Sequence, residues 1–253
     1  MLSLQLVKRA FSAVFNNLMQ ATAIFAPAFA YSIACFVWLK DSKTVSQELG
    51  IVMQGLYVNI PLSSMNLPLV SMFIIGALIY VASVVTWHRF IIMDEKPAVS
   101  PSIFLEPYFG NYILSALKLI FLSFVLLIIF MFFISLLIVT SLQGPLIALS
   151  LFNFAMNILL NAVYLIMCLI LPAAAVGQYL RVLETFELTD FGTVLSVSII
   201  INIAAYFAET VIDRLQFNML LSALFNAFFV VFQISVLTTL YQHYVEKDFD
   251  PKT

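Results

Sequence analysis
The amino-acid sequence predicts an all-α fold: a polytopic transmembrane helical bundle of six spans, with both termini cytoplasmic and an amphipathic interfacial helix at the N-terminus. Composition is the first reason. Of 253 residues, 63% are hydrophobic and 9% charged, against about 45–50% apolar and about 25% charged in soluble domains. The mean hydropathy is +1.08. An aqueous fold could not enclose that much apolar surface, and lipid is the solvent that accommodates it. Segregation is the second reason. Of 11 Lys and Arg and 13 Asp and Glu, only Lys118, Glu209 and Asp213 fall inside six apolar stretches, 18–39, 67–87, 112–140, 151–180, 191–213 and 219–244. Each stretch has the roughly 20 residues that a helix needs to cross about 30 Å of hydrocarbon. The third reason is charge asymmetry. Lys8, Arg9, Arg89, Lys96, Lys118, Arg181, Lys247 and Lys252 fall on one side of this map, and Lys40, Lys43 and Arg214 on the other. The positive-inside rule makes the first side cytoplasmic.

The elements follow in order. In residues 1–16, Leu4, Val7, Phe11 and Val14 recur at helical spacing opposite Gln5, Lys8, Arg9, Ser12 and Asn16, the pattern of a helix lying on the inner surface. In the first span, Ala28-Phe29-Ala30 has the form of a signal-peptidase site, but the apolar run continues to Trp38, so an uncleaved span is expected. The loop over 40–66 contains a semi-apolar stretch, 51–60, expected along the interface. The loop over 88–111 carries Pro97, Pro101 and Pro107, which break helix, with Phe104 and Phe109 as interfacial anchors. Neither loop can fold alone, so residues 1–253 form a single integral membrane domain. The third and fourth spans exceed the necessary length and should tilt or bend.

The even-numbered spans reach the cytoplasmic side in a shared pattern. Trp87-His88-Arg89, Tyr179-Leu180-Arg181 and Tyr241-Gln242-His243 each place an aromatic residue two positions before a basic or potentially basic one. An aromatic belt with positive anchors explains this, making Trp87, His88, Arg89, Tyr179, Arg181, Tyr241 and His243 inner-surface anchors. Three repeated helical hairpins would explain it as well.

Polar residues within the spans are the candidate functional groups. Asn153, Asn157 and Asn161 recur every four residues and so share one face of the fourth span. Amides facing lipid would leave their hydrogen bonds unmade, so this face should meet protein or water. It is expected to bond across helices, with Asn202, Asn226 and Gln233 as candidate partners, or to line a hydrated groove. Further along, Pro172 cannot donate to the carbonyl of Cys168, which predicts a kink. Glu209, Asp213 and Arg214 read as an interfacial cluster at the end of the fifth span.

Several function classes are excluded or disfavoured. The net charge of −2 and the scattered cations give no field for nucleic acid. The two cysteines, Cys35 and Cys168, lie in apolar runs, and with His88 and His243 as the only histidines no metal constellation forms. There is no P-loop, GxSxG, HExxH or GxGxxG pattern. A non-enzymatic protein without a cofactor is therefore expected.

Two stretches carry a family resemblance. Val84-Val85-Thr86-Trp87-His88-Arg89-Phe90-Ile91-Ile92-Met93-Asp94-Glu95-Lys96-Pro97 is one. Leu171-Pro172-Ala173-Ala174-Ala175-Val176-Gly177, followed by Arg181 and Glu187-Leu188-Thr189, is the other. Together they resemble six-helix bacterial inner-membrane proteins, related in pattern to the membrane domain attached to some glycerophosphodiester phosphodiesterases. Where that pattern is basic after the fourth span, this chain has Glu184, Glu187 and Asp190. The resemblance implies a bacterial inner-membrane location and transfers no catalytic chemistry, since no phosphodiesterase domain is present. The expected function is a subunit, scaffold or assembly factor acting through helix and lipid contacts. Its expected partners are membrane lipids and other membrane subunits. The alternative is a carrier for a lipid or small neutral solute that uses the Asn face.

Overall fold
Helix ends, where backbone groups lose their intrahelical partners, explain most of the chain's punctuation. A computed structural model describes residues 1–41, 67–95, 101–140, 146–214 and 219–246. They form α1 (Leu2–Asn16), α2 (Leu18–Asp41), α3 (Leu67–Met93), α4 (Pro107–Thr140), α5 (Leu146–Cys168), α6 (Ile170–Ala175), α7 (Val182–Leu188), α8 (Phe191–Arg214) and α9 (Met219–Tyr244), with one 3₁₀ turn, Pro101–Leu105. No strand occurs among the described residues. Six helices, α2, α3, α4, α5 continued by α6, α8 and α9, are long and apolar enough to cross a membrane. The chain is a multi-pass helical membrane protein. The loop expected along the interface at 51–60, and Pro97, lie outside the described residues.

Pro172 acts where the missing N–H requires. The helix is interrupted at Leu169, one residue after the carbonyl that loses its donor, and Leu169 N–H bonds back to Ile166 O at 3.2 Å in a tighter turn. The expected single fourth span is therefore two pieces, α5 and the short α6. Gly177 ends α6 at φ +78°, with Gln178 N–H to Ala173 O at 2.8 Å and Gly177 N–H to Ala174 O at 3.1 Å. This is a Schellman closure, and the left-handed residue it needs is a glycine.

The helices do not pair as three hairpins, which corrects that expectation. α2 does pack along α3, but α5 packs along α8, and α4 meets α6 more than it meets α5. Pairing of α2 with α3 has a specific cause. The Tyr31 ring lies 3.0 Å from where a Cβ on Gly76 would stand, and its hydroxyl donates to Met72 O at 2.8 Å. Glycine at 76 permits that approach.

Burial is concentrated at the end of the bundle that carries the N-terminal helix and the end of α9. All of Ala82 to His88 on α3, and all of Ser235 to Tyr241 on α9, are buried on every face. α6 fits against both through buried Pro172, Ala173, Ala174 and Ala175. Small side chains are what let three backbones approach here. Toward the opposite end the helices expose their apolar side chains: Phe73 and Ile74 on α3, Phe121 (70%) and Phe124 on α4, Tyr206 and Phe207 (70%) on α8. The bundle is tight at one end and open-flanked at the other.

α1 has three faces rather than two. Leu6, Ala10 and Val14, spaced four apart, are buried against α9 and α8. Leu4, Phe11 and Phe15 are exposed, and at about 100° per residue they point to a second sector. Gln5, Arg9, Ser12 and Asn16 occupy a third. One face docks on protein and one suits water, while the second carries Phe11 and Phe15, exposed yet meeting Phe232 and Phe228 of α9 with ring centroids 6.2 Å and 5.5 Å apart. The expected Leu4, Val7, Phe11 and Val14 stripe is the apolar side of the helix, and Val7 and Val14 within it pack on the bundle.

Asp190 caps α8, accepting hydrogen bonds from Gly192 N–H at 3.3 Å, Thr193 N–H at 3.1 Å and the Thr193 hydroxyl at 2.5 Å. The Thr193 bonds hold its carboxyl below the usual carboxylate range. A lowered folded-state value means that the stabilisation is full above the unfolded-state pKa of about 4 and fades as pH falls through the lower folded value. Asp190→Ala should lower the melting temperature of the detergent-purified protein at neutral pH. The gap between variant and parent should shrink in melting curves below about pH 4.

Candidate functional site
A cavity of about 530 Å³ lies where α3, α4, α5, α6, α8 and α9 come together. Its wall runs from fully enclosed residues to exposed ones. His88, Tyr112, Leu119 and Cys168 are buried, whereas Tyr80, Ile120, Asn161, Tyr164 and Gln233 are exposed. On α3, α5 and α9 the buried lining residues lie nearer the tight end than the exposed ones, whereas on α4 the neighbours Leu119 and Ile120 differ by face. The cavity is therefore closed toward the tight end and opens toward the middle of the helices.

Chemically the lining is mixed but uncharged. Val84, Leu119, Leu165, Leu171 and Leu237 supply apolar area, and Asn161, Asn202, Gln233, Ser198, Tyr164 and His88 supply donors and acceptors. Among the described residues no Asp, Glu, Lys or Arg lines it. A bare ion placed there would meet no counter-charge, whereas a neutral polar group would find partners.

The α5–α8 seam shows how the polar wall is built. Asn161 Nδ2 donates to Asn202 Oδ1 at 2.9 Å, and Asn202 Nδ2 donates to Ser198 O at 2.8 Å. Ser198 is buried, and its hydroxyl donates to Ile158 O at 2.9 Å. Each amide thus satisfies part of its hydrogen-bonding capacity across the helix pair and turns the remainder to the cavity. On α5 itself, the Tyr164 hydroxyl and the Cys168 thiol both line the cavity, one turn apart.

The floor is built by α3 and α9. Trp87 Nε1 donates to the Ser235 hydroxyl at 3.0 Å, and that hydroxyl donates to Val231 O at 2.8 Å. One turn along, His88 Nδ1 lies 2.8 Å from the Thr238 hydroxyl, which donates to Ile234 O at 2.9 Å. His88 Nε2 is buried without a protein partner. Below the floor, Arg89 pairs with Glu95, donates to Ala175 O at 2.9 Å and stacks 3.9 Å from the Tyr108 ring centroid. Asp94, at φ 54°, makes the turn that brings Glu95 back.

Of the polar groups singled out by sequence, the structure gathers Asn161, Asn202 and Gln233 at the cavity. Asn157 and Asn226 are exposed and do not line it. The side chains of Asn153, Glu209, Asp213 and Arg214 lie outside the described residues. The anchor assignment needs correction at three positions. Trp87, His88 and Tyr241 are 0%, 0% and 1% exposed, so they are core groups rather than belt residues. The reason is that α3 continues to Met93, six residues beyond the expected end at 87, which carries Trp87 and His88 into the bundle. Tyr241 instead donates to Gln178 Oε1 at 2.5 Å. Arg89 is only 14% exposed and acts as a tie between helices. Tyr179 is exposed, and exposed Arg181 caps α7, its N–H bonding Glu184 Oε2 at 2.8 Å. His243 meets the Tyr244 ring edge-on, with centroids 4.7 Å apart.

His88, Tyr112 and Tyr164 as cavity groups were missed. The signal available was the apolar continuation Ile91-Ile92-Met93 after Arg89, which extends the helix and moves the residues before it inward. Among the described residues no three His, Cys, Asp or Glu side chains converge to hold a metal. No protein-family model, curated protein or solved structure matches the chain.

Proposed function
We propose that this protein is a membrane carrier or binding protein for an uncharged amphiphile or small neutral solute, held in the mid-membrane cavity. The observation that supports this reading is the cavity itself: about 530 Å³, in the range of roughly 300–1,000 Å³ that holds small ligands, with a neutral polar wall and an open flank. The polar groups in its wall, Asn161, Asn202, Gln233 and His88, give water or a polar ligand the partners that keep such a space filled. The absence of charge among the described lining residues favours neutral cargo. The asymmetry of Lys8, Arg9, Arg89 and Arg181 at the tight end, and the resemblance to bacterial inner-membrane proteins, support a cytoplasmic placement of that end in an inner membrane.

A subunit or scaffold is the second reading. It draws on the exposed flanks of α4 and α8, around Phe121, Phe124, Tyr206 and Phe207, although lipid alone also satisfies such surfaces.

The test uses 1-monooleoylglycerol with a photoactivatable diazirine in its chain and the purified protein in detergent. Labelling of the parent protein should be saturable and map to α3, α5 and α8 residues around the cavity. Ala116→Phe combined with Ala205→Phe, both cavity-lining positions, should reduce it at least tenfold with little change in melting temperature. Equal, non-saturable labelling of parent and variant would remove the carrier reading. A stoichiometric companion protein in mild-detergent pull-downs would then favour the subunit reading.

A further inference from the structure
We propose that the cavity takes its ligand head first, the ligand donating a hydrogen bond to Nε2 of His88, so that the cargo is a neutral amphiphile bearing a hydroxyl or amide N–H. This inference rests on the cavity-binding reading and names the class of molecule bound there.

The bonds around Thr238 fit one histidine tautomer, which the proposal adopts. The Thr238 hydroxyl oxygen lies 2.9 Å from Ile234 O and 2.8 Å from His88 Nδ1. With its single hydrogen on Ile234 O, the back-bond that Ser235 and Thr239 also make on this helix, the oxygen accepts from a protonated Nδ1. Nε2 is left as a lone-pair acceptor. It is buried, it has no protein partner, and its residue forms part of the cavity floor. Buried acceptors are rarely left unmade, because each forfeits the hydrogen bond it had with water. The protein groups around the ring do not supply the partner. Tyr112 lies beside it with ring centroids 6.1 Å apart and is aligned by ring contact. A ligand that supplies a donor completes the site.

The rest of the cavity fits the rest of such a molecule. Leu119, Leu171 and Leu237 flank the way from the floor toward the mouth, a path for an acyl chain. The amides of Asn161, Asn202 and Gln233 stand nearer the mouth, where a second polar group or entering water would be met. A ligand without a donor, such as a fully O-methylated analogue, leaves Nε2 unpaired and loses the bond that orients it.

Two measurements test this on the full-length protein. With histidine labelled by ¹⁵N, the His88 ring should show a protonated Nδ1 and an unprotonated Nε2; a protonated Nε2 would overturn the proposal. Binding of 1-monooleoylglycerol should then be compared with that of its di-O-methyl ether. The parent protein should prefer the free hydroxyls at least tenfold. His88→Asn, whose amide keeps a donor toward Thr238 and removes the acceptor at Nε2, should bind both probes equally and weakly. Equal affinity of the parent for both probes, or undiminished preference in His88→Asn, would overturn the head-first arrangement while leaving the cavity as a binding site. If neither probe binds the parent saturably, both this inference and the carrier reading fall. Retention of both probes by the Ala116→Phe, Ala205→Phe protein would point to binding elsewhere and overturn both.

Discussion
Trp87→Ala should lower the stability of the bundle by about 2–3 kcal/mol, the largest effect expected of any single core substitution here. In an aqueous core a Trp→Ala change costs about 3–5 kcal/mol, part of it lost transfer free energy. Inside a bilayer the unfolded side chain is already solvated by acyl chains, so that part shrinks and the void and lost contacts remain. Trp87 is fully buried, with ring centroids 6.2 Å from Phe25 and 5.8 Å from Phe90, and it bonds Ser235 across to α9. Its removal thus opens a hole where α2, α3 and α9 meet and leaves the Ser235 oxygen without its donor. Trp87→Phe should recover more than half of the loss, because it restores ring volume without the indole N–H. Reversible unfolding in mixed micelles, followed by circular dichroism, measures both; a Trp87→Ala protein within about 0.5 kcal/mol of the parent would contradict the packing described.

Arg89→Met should cost about 2–3 kcal/mol for a different reason. The guanidinium joins three elements at once: Glu95 beyond the end of α3, the Ala175 carbonyl at the end of α6, and the Tyr108 face on α4. Breaking a buried pair by removing one partner costs about 3–5 kcal/mol, and the 41% exposure of Glu95 reduces this because water can rehydrate the carboxylate. Met keeps most of the apolar stem, so the loss reports the head group rather than the packing. Arg89→Lys should recover little, since a point charge cannot serve the carboxylate, the carbonyl and the ring together. Arg89→Met, Glu95→Gln should be less than additive, with a coupling of roughly 1 kcal/mol. Thermal unfolding of the four proteins in one detergent measures the cycle; full additivity would mean that the pair contributes nothing.

The six membrane-crossing helices were legible because the bilayer imposes a single length and excludes charge. Residues 219–244 were read with the ends that α9 has, and 191–213 within one residue of α8. The interruption near Pro172 was legible because a missing N–H acts on the local backbone wherever the helix is placed. The identity of neighbours was not legible. Nothing in the residue pattern says that α5 lies along α8 rather than α4, since apolar helices in lipid lack the amphipathic stripe that reveals a packed face in water. For the same reason, the Asn161–Asn202 bond was one of several pairings equally consistent with the sequence.

The candidate site was legible only in part. Asn161, Asn202 and Gln233 stood out as polar groups in apolar runs. His88 did not, because its neighbours Trp87 and Arg89 mimic an interfacial belt, and its burial follows from one additional turn and a half of α3. Hydroxyl groups on α9 carry the same lesson. Ser235 and Thr238 reach their own backbone and so read as neutral filler, yet Ser235 receives the Trp87 indole N–H and Thr238 lies 2.8 Å from His88 Nδ1.

The proposed ligand would lie in the cavity that runs from the Asn161 level to His88. An experimentally determined structure of the full-length protein in lipid nanodiscs measures this most directly. Elongated density, or ordered water where ligand is absent, is expected from near Asn161 to within hydrogen-bond distance of His88 Nε2. Collapsed side chains filling that space, with His88 bonded to another protein group, would contradict it.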